Sequence, residues 1–332
     1  MSLHTRLTEL VGIQHPVVMG GMGSGSTVPA MVTAVAEAGG LGVLGVSRYP
    51  RDAMEAQVAE IRAATSRPFG LNLLLFLSDD NAIDAVLAQR PAVFSSAWPW
   101  PEQDLKPIFE RAHGAGALVM HMVAGVDEAQ RAANAGADLI VAQGTEGGGH
   151  VGTVAGMVLV PMAARAVDPV PVLAAGGFAT GAQLAAALLL GAEGVLMGTR
   201  FLATDESPWP PSFKRAIVDS NGHDTELTEI PDIAKGSVWP GAFDRARRNR
   251  LISEWAGREN ELRRRRASVA AAMALAMRDD DADRGELNFG QSAGLINSIE
   301  PCGDVVRRIS SEAELLILAA RERFVVDQRF ES

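Results

Sequence analysis

Residues 171–201 read PVLAAGG, FATGAQLAAALLL, GAEGVLMGTRF, and this stretch decides the fold. Two strand-like runs, Pro171 to Ala175 and Gly194 to Met197, each end in small residues, and a helix-like stretch from Thr180 to Leu190 joins them. Strand, helix and strand in that order make a parallel βαβ unit. Two successive strands that end in glycine form the phosphate corner of many (β/α)₈ barrels. Backbone N–H groups of Gly176, Gly177, Gly198 and Thr199 can point at an anion there because no Cβ obstructs the approach. A following helix N-terminus would add its positive dipole end, and the Thr199 hydroxyl one more hydrogen bond.

Working outward, the same alternation recurs. The sequence predicts strands at Pro16–Gly20, Leu41–Val46, Phe69–Leu75, Ala92–Ala97, Ala117–Val123, Leu139–Ala142, Pro171–Ala175 and Gly194–Met197. Helical stretches lie between them, such as Val28–Ala38, Arg51–Thr65 and Glu128–Ala135, the last stopping at a glycine. Eight βα units make the chain α/β, with a closed TIM (β/α)₈ barrel as the leading architecture and an open doubly wound sheet as the alternative. After Phe201 the pattern changes. Pro208, Pro210 and Pro211 interrupt the chain, and 213–283 reads as helices rich in arginine and alanine, with no strand signal. The expected organisation is a barrel over 1–207, an inserted, mostly helical lobe over 208–287, and a segment over 288–332 that returns to the barrel through an amphipathic helix, Gly303–Arg323.

A chain of 332 residues suits a barrel with an insertion, and 47% apolar residues supply a large core. The formal charge of −10 argues against nucleic-acid binding. Nine arginines between Arg245 and Arg266, interleaved with Glu254, Glu259 and Glu261, read as a solvated helix with internal pairs, or as a partner surface. One cysteine, Cys302, the lack of a signal-peptide pattern and the lack of a run of about 18 apolar residues lead to the expectation of a soluble, cytoplasmic protein with no membrane partner. Exposed apolar helices would suit a homodimer. No metal-ligand pattern is read.

A barrel collects its chemistry at the C-terminal ends of its strands. Those positions are Gly20 to Gly23, Asn72, Ser95 to Trp98, His121, and Gln143 to His150, where QGTEGGGHVG follows an apolar strand. The glycines allow backbone to lie close against something flat or charged, and His150 can give or take a proton near neutral pH. His121 lies within an apolar strand and reads equally as a wall residue or a substrate-facing one. The aromatic segment WPWP, Trp98 to Pro101, reads as a substrate wall or a rigid covering loop.

With these motifs in place the chain resembles the nitronate monooxygenase family, the FMN-dependent barrels also called 2-nitropropane dioxygenases. The resemblance rests on GIQHPVVMGGM, AEAGGLGVLG, RPFGLNL, AQGTEGGGHVG, the 171–201 segment with its flanks, and GQSAGLI. It implies FMN, with Gly21, Met22 and Asn72 against the ring, Gln143, Gly148 and Gly149 bordering it, Gly176, Gly177, Met197, Gly198 and Thr199 at the phosphate, Gln291 beside them, and His150 as the catalytic base. It further implies oxidation of alkyl nitronates by O₂. Many nitronate-oxidising members carry EAGGHRG, however, where this chain has Gly147 and Val151. The same superfamily resembles NAD(P)H-dependent reductases of quinones and enoyl thioesters and dehydrogenases of acyl-CoA, and these form the alternative reading. A barrel that binds a phosphorylated ligand without redox chemistry is a third.

Overall fold

A computed structural model describes residues 3–23 and 25–324, so the end of the C-terminal segment, 325–332, lies outside the described residues. Strands β1 (Val17–Met19), β2 (Leu41–Gly45), β3 (Phe69–Leu74), β4 (Val93–Ala97), β5 (Leu118–Val123) and β6 (Leu139–Gln143) pair in sequence order, all parallel. The chain then leaves the barrel for a short strand, β7 (Gly149–Val151), and returns through β8 (Val172–Ala175) and β9 (Val195–Met197). Val17 opposite Val195 and Met19 opposite Met197 close the ring. Eight expected strands are present within two residues at each end, and the closed barrel displaces the open-sheet alternative.

Alternation along the strands sorts side chains into two layers. Val18, Leu41, Val43, Val93, Met120, Leu139, Val141, Leu173 and Leu196 fill the barrel interior. Val17, Met19, Leu44, Leu71, Phe94, Val119 and Val172 face outward into the helix layer. Leu7, Val11 and Ile13 join the interior set. They come from or directly follow α1 (Arg6–Val11), a helix with a Thr5–Thr8 capping box and a left-handed stop at Gly12. A Cβ at Gly194 would stand 2.7 Å from both Leu7 and the Pro16 carbonyl, which places this helix as a plug in the N-terminal mouth.

The outer helices are α2 (Pro29–Glu37), α3 (Arg51–Ala64), α4 (Asp80–Ala88), α5 (Lys106–Gly114), α6 (Val126–Asn134), α7 (Gly156–Ala166) and α8 (Gly181–Leu189). After β9 come α9 (Thr199–Leu202), α10 (Pro211–Val218), β10 (Thr225–Thr228), α11 (Ile230–Lys235), β11 (Phe243–Arg247), α12 (Arg250–Trp255), α13 (Glu259–Arg278) and α14 (Cys302–Phe324). The last packs against α8 and α2, taking the eighth helix position of the barrel.

One expectation for the 213–283 region fails. It contains two strands, and β10, β11 and β7 form an antiparallel sheet in the order β10-β11-β7, with Asp244 opposite His150 and Arg245 opposite Gly149. Helices α11, α12 and α13 cover their own core of Ile230, Trp255, Leu262, Val269 and Met273. The arginine run forms the expected internal pairs in part: Arg258 and Arg265 both reach Glu261, and both guanidinium groups lie over Trp255.

His121 resolves into a wall residue. Its inward neighbours on β5 are Met120 and Met122. His121 itself turns outward, hydrogen-bonds Ser96 Oγ through Nδ1 at 2.8 Å and lies 5.5 Å from the Phe109 ring of α5. Burial, with a smaller effect from Arg131, lowers its pKa to about 3. The folded value lies below the unfolded one, so the unfolded chain takes up the proton first, and stability falls as pH drops from the ordinary value of about 6.5 toward about 3. Urea unfolding at about pH 7 and about pH 5 should show the native chain losing about 2 kcal/mol more than His121→Gln, which keeps a partner for Ser96 but does not titrate. Equal losses would show that the imidazole is not held neutral.

Candidate active site

The strand ends named from the sequence lie at one mouth of the barrel, apart from His121, which turns outward, and several of them touch one another. A Cβ on Gly21 would stand 2.5 Å from that of Asn72, whose Nδ2 donates to the Gly21 carbonyl at 3.3 Å and whose Oδ1 accepts from Ser95 Oγ at 2.9 Å. Met22 reaches across to Gly198, its Sδ 3.3 Å from where a Cβ would sit. Gly147 lies against Gly176, Gly148 against the Phe289–Gly290 backbone, and the Gly290 N–H donates to Thr199 Oγ1 at 3.0 Å. The Gln291 N–H donates to the Glu146 carbonyl at 2.9 Å, tying the C-terminal segment to the loop after β6, while Met197 is buried at the end of β9.

Two parts of the sequence argument change. Gly148 lacks a side chain because the Phe289–Gly290 backbone would be 2.4 Å from its Cβ; the close approach is to the chain itself. The helix after Gly198 is the single turn α9, too short to add much dipole, while the Thr199 hydroxyl accepts from the Gly290 N–H and keeps its own proton to donate. The amides of Gly176, Gly177, Gly198 and Thr199, for which the described residues supply no acceptor, are available to an anion. Positive φ values of 82° and 87° at Gly176 and Gly177 turn this backbone. Beside them Gln143 Oε1 is buried without a hydrogen-bond partner.

His150 stands at the rim on β7, and its partners all come from the inserted lobe. Its Nε2 lies 2.9 Å from Asp232 Oδ2 of α11, both side chains under a tenth exposed. The Trp239 indole stacks on the imidazole face, centroids 3.3 Å apart and planes 10° from parallel. Trp239 also meets Phe76 at 4.6 Å and Trp98 at 6.3 Å, and Phe76 meets Trp100 at 5.8 Å, so the WPWP segment is part of an aromatic wall around the histidine. The loop after β6 is fixed from two sides: Arg245 Nε donates to the Thr145 carbonyl at 2.9 Å, and the Glu146 carboxylate accepts from the Gly156 N–H at the start of α7.

Burial lowers the His150 pKa, with Lys235 adding to the effect, while the hydrogen bond and charge of Asp232 pull the other way. The imidazole is therefore neutral at neutral pH, and with Nε2–H donated to the carboxylate, Nδ1 is left with a lone pair and no partner among the described residues. Asp244, beneath it in the sheet, is fully buried with neither oxygen hydrogen-bonded. Burial, with Glu286 and Asp232 nearby, raises its pKa well above the usual carboxylate range, against the opposing pull of Lys235 and Asn288. Asp232, Trp239 and Asp244 were not found from the sequence. Only the tryptophan in GSVWPG, a large aromatic between glycines at 236 and 241, offered a signal there.

Comparison with known proteins follows this geometry. The nitronate monooxygenase family model matches residues 4–90 and 75–312. A Mycobacterium tuberculosis protein named (3aS,4S,5R,7aS)-5-hydroxy-7a-methyl-1-oxo-octahydro-1H-indene-4-carboxyl-CoA dehydrogenase is 34% identical, the match covering 94% of this chain and 97% of that protein. A Staphylococcus saprophyticus protein named probable nitronate monooxygenase is 31% identical over 69% of this chain and 77% of its own length. The structure of FabK from Thermotoga maritima superposes with a TM-score of 0.86 at 33% identity, covering 97% of this chain and all of that one.

An NMR titration of the histidines checks the electrostatics directly. His150 should titrate below 6.5, and Asp232→Asn should lower it further, because the substitution removes the hydrogen bond and charge of Asp232 and leaves burial and Lys235 opposed only by Glu286. A higher value in the variant would contradict the pairing.

Proposed function

The chain belongs to the nitronate monooxygenase family of oxidoreductases, and from that premise we propose that it is an FMN-dependent enzyme that oxidises or reduces an acyl thioester between its α and β carbons, with His150 as the proton carrier at the α carbon. The observation that supports this reading is the charge around His150. Its ring is backed by the Asp232 carboxylate, Val151 beside it is fully buried, and Lys235 is bound to Glu286 at 2.6 Å. Such a site favours a neutral substrate that surrenders a proton over one that arrives as an anion. The similarity to a carboxyl-CoA dehydrogenase over almost the whole chain supports the same substrate class.

The residues at the mouth fit a flavin nucleotide. The unpartnered amides of Gly176, Gly177 and Gly198 suit its phosphate, and the orphaned Gln143 Oε1 is an acceptor for a ring N–H, with Gly21, Met22 and Asn72 beside it. When bound, FMN supplies a two-electron acceptor or donor for C–H chemistry. The protein's own part is proton handling. Asp232 holds His150 in the tautomer whose Nδ1 accepts the α-proton, and stabilises the imidazolium that results. In the reductive direction the same nitrogen returns the proton. Trp239 covers the ring face and keeps water from it. Nitronate oxidation by O₂ is the second reading, supported by the staphylococcal relative.

Anaerobic mixing of the flavin-loaded protein with acyl-CoA thioesters, with NADH or NADPH, and with propionate 3-nitronate separates the readings. The expected result is flavin bleaching by a thioester, or by NAD(P)H with reoxidation by an enoyl thioester. In His150→Ala the flavin should remain bound while this exchange slows by about 10²- to 10⁴-fold. Bleaching by the nitronate alone would defeat the thioester reading.

A further inference from the structure

The inserted lobe holds a cavity that the proposed chemistry has not used. Helices α11 and α13 and the loop after α11 enclose about 410 Å³, with Glu229, Asp232, Trp239, Ala242, Arg263 and Arg266 among its walls. Its inner end is formed by Asp232 and Trp239, the two side chains in contact with His150. Its outer end carries Arg263 and Arg266, three positions apart and so on one face of α13.

These two arginines differ from their neighbours. Arg258 and Arg265 are engaged by Glu261 and Trp255. Arg263 donates only to the amide oxygen of Asn260, at 3.3 Å, and Arg266 has no carboxylate partner among the described residues. The Arg266 guanidinium lies against the backbone of Gly236, its Nη1 2.5 Å from where a Cβ would stand, and φ of 67° at Gly236 makes the turn that allows this. Glu229 is exposed among the lining residues and has no ion pair with either arginine among the described residues, while the charge of Arg263 is felt by Glu259 on the same helix. A planar guanidinium with free donors recognises phosphate with two parallel hydrogen bonds, and two of them at the mouth of one cavity suit a ligand with more than one phosphate. The volume is within the range of pockets that take small organic ligands.

We infer that Arg263 and Arg266 seat the phosphate groups of the carrier to which the acyl thioester is attached, in a cavity that shares Asp232 and Trp239 with the surroundings of His150. This rests on the thioester reading above. The carrier is a phosphorylated nucleotide conjugate such as coenzyme A. The phosphates of NADPH share the same chemistry, and the test distinguishes the two sources.

The experiment compares the flavin-loaded native protein with Arg263→Glu/Arg266→Glu and with Arg263→Lys/Arg266→Lys. Calorimetry measures binding of free coenzyme A and of NADPH, and kinetics compare one acyl group carried by coenzyme A or by N-acetylcysteamine, which lacks phosphate. Coenzyme A should bind about tenfold or more weakly to the glutamate variant, and the kcat/KM preference for the coenzyme A ester should fall by a similar factor, with the lysine variant retaining most of both. Unchanged coenzyme A affinity in the glutamate variant overturns the inference, as does a loss confined to NADPH. Loss of coenzyme A affinity in a protein that processes neither thioester would uphold the phosphate seat and defeat the thioester reaction. Turnover of both esters with no change in preference would do the reverse.

Discussion

Three residues of backbone, Gly149 to Val151, join the barrel to the lobe by pairing with β11, and the candidate site depends on that pairing. The strand is short because it follows a loop of glycines, and it is held from the sides by Arg245 on the Thr145 carbonyl and by Glu146 at the head of α7. Pairing His150 opposite Asp244 sets which way the imidazole turns, and α11 brings Asp232 to its Nε2. A one-residue slip of this ladder would turn the histidine to the other face of the sheet and break its contact with Asp232 and Trp239.

The electrostatics of the lobe follow from the same construction. Asp232, Asp244 and Glu286 lie close together around one imidazole and one ammonium, which is too much negative charge for a buried site. The raised pKa of Asp244 relieves that excess, while Lys235 meets Glu286 and His150 meets Asp232. The oxygen of Asp232 turned away from the histidine is buried without a partner, and so is Gln143 Oε1 at the barrel mouth. Orphaned acceptors of this kind are costly in a protein interior and point to sites where something else binds.

The barrel was legible because its strands are short, mostly apolar runs, several of them followed by glycine, a signal local to each unit. His150 and the mouth residues were legible for the same reason, as each lies a few residues past such a run. The lobe strands were not. FDRAR at β11 buries an aspartate and an arginine while exposing Phe243, the inverse of the pattern that marks a strand. Asp232 lies 82 residues beyond His150 and β7 is a glycine and two other residues, so nothing local in the sequence connects them. Gly148 carries a further constraint that the sequence did not show: its missing Cβ makes room for Phe289 and Gly290.

The position of the lobe in the chain also orders events in time. All eight barrel strands have been made by Met197, and β9 can close on β1 before any of the lobe exists. His150 has then been made, but neither β11, which sets its direction, nor Asp232, its carboxylate, has. At synthesis rates of roughly 5–20 residues per second, the 82 residues to Asp232 take on the order of 4–16 s to follow. The eighth helix position of the barrel stays open for longer, because α14 comes last. Should the sheet close at that stage, the chain would hold a closed barrel with an incomplete helix shell, which α14 can complete only after the lobe has been made.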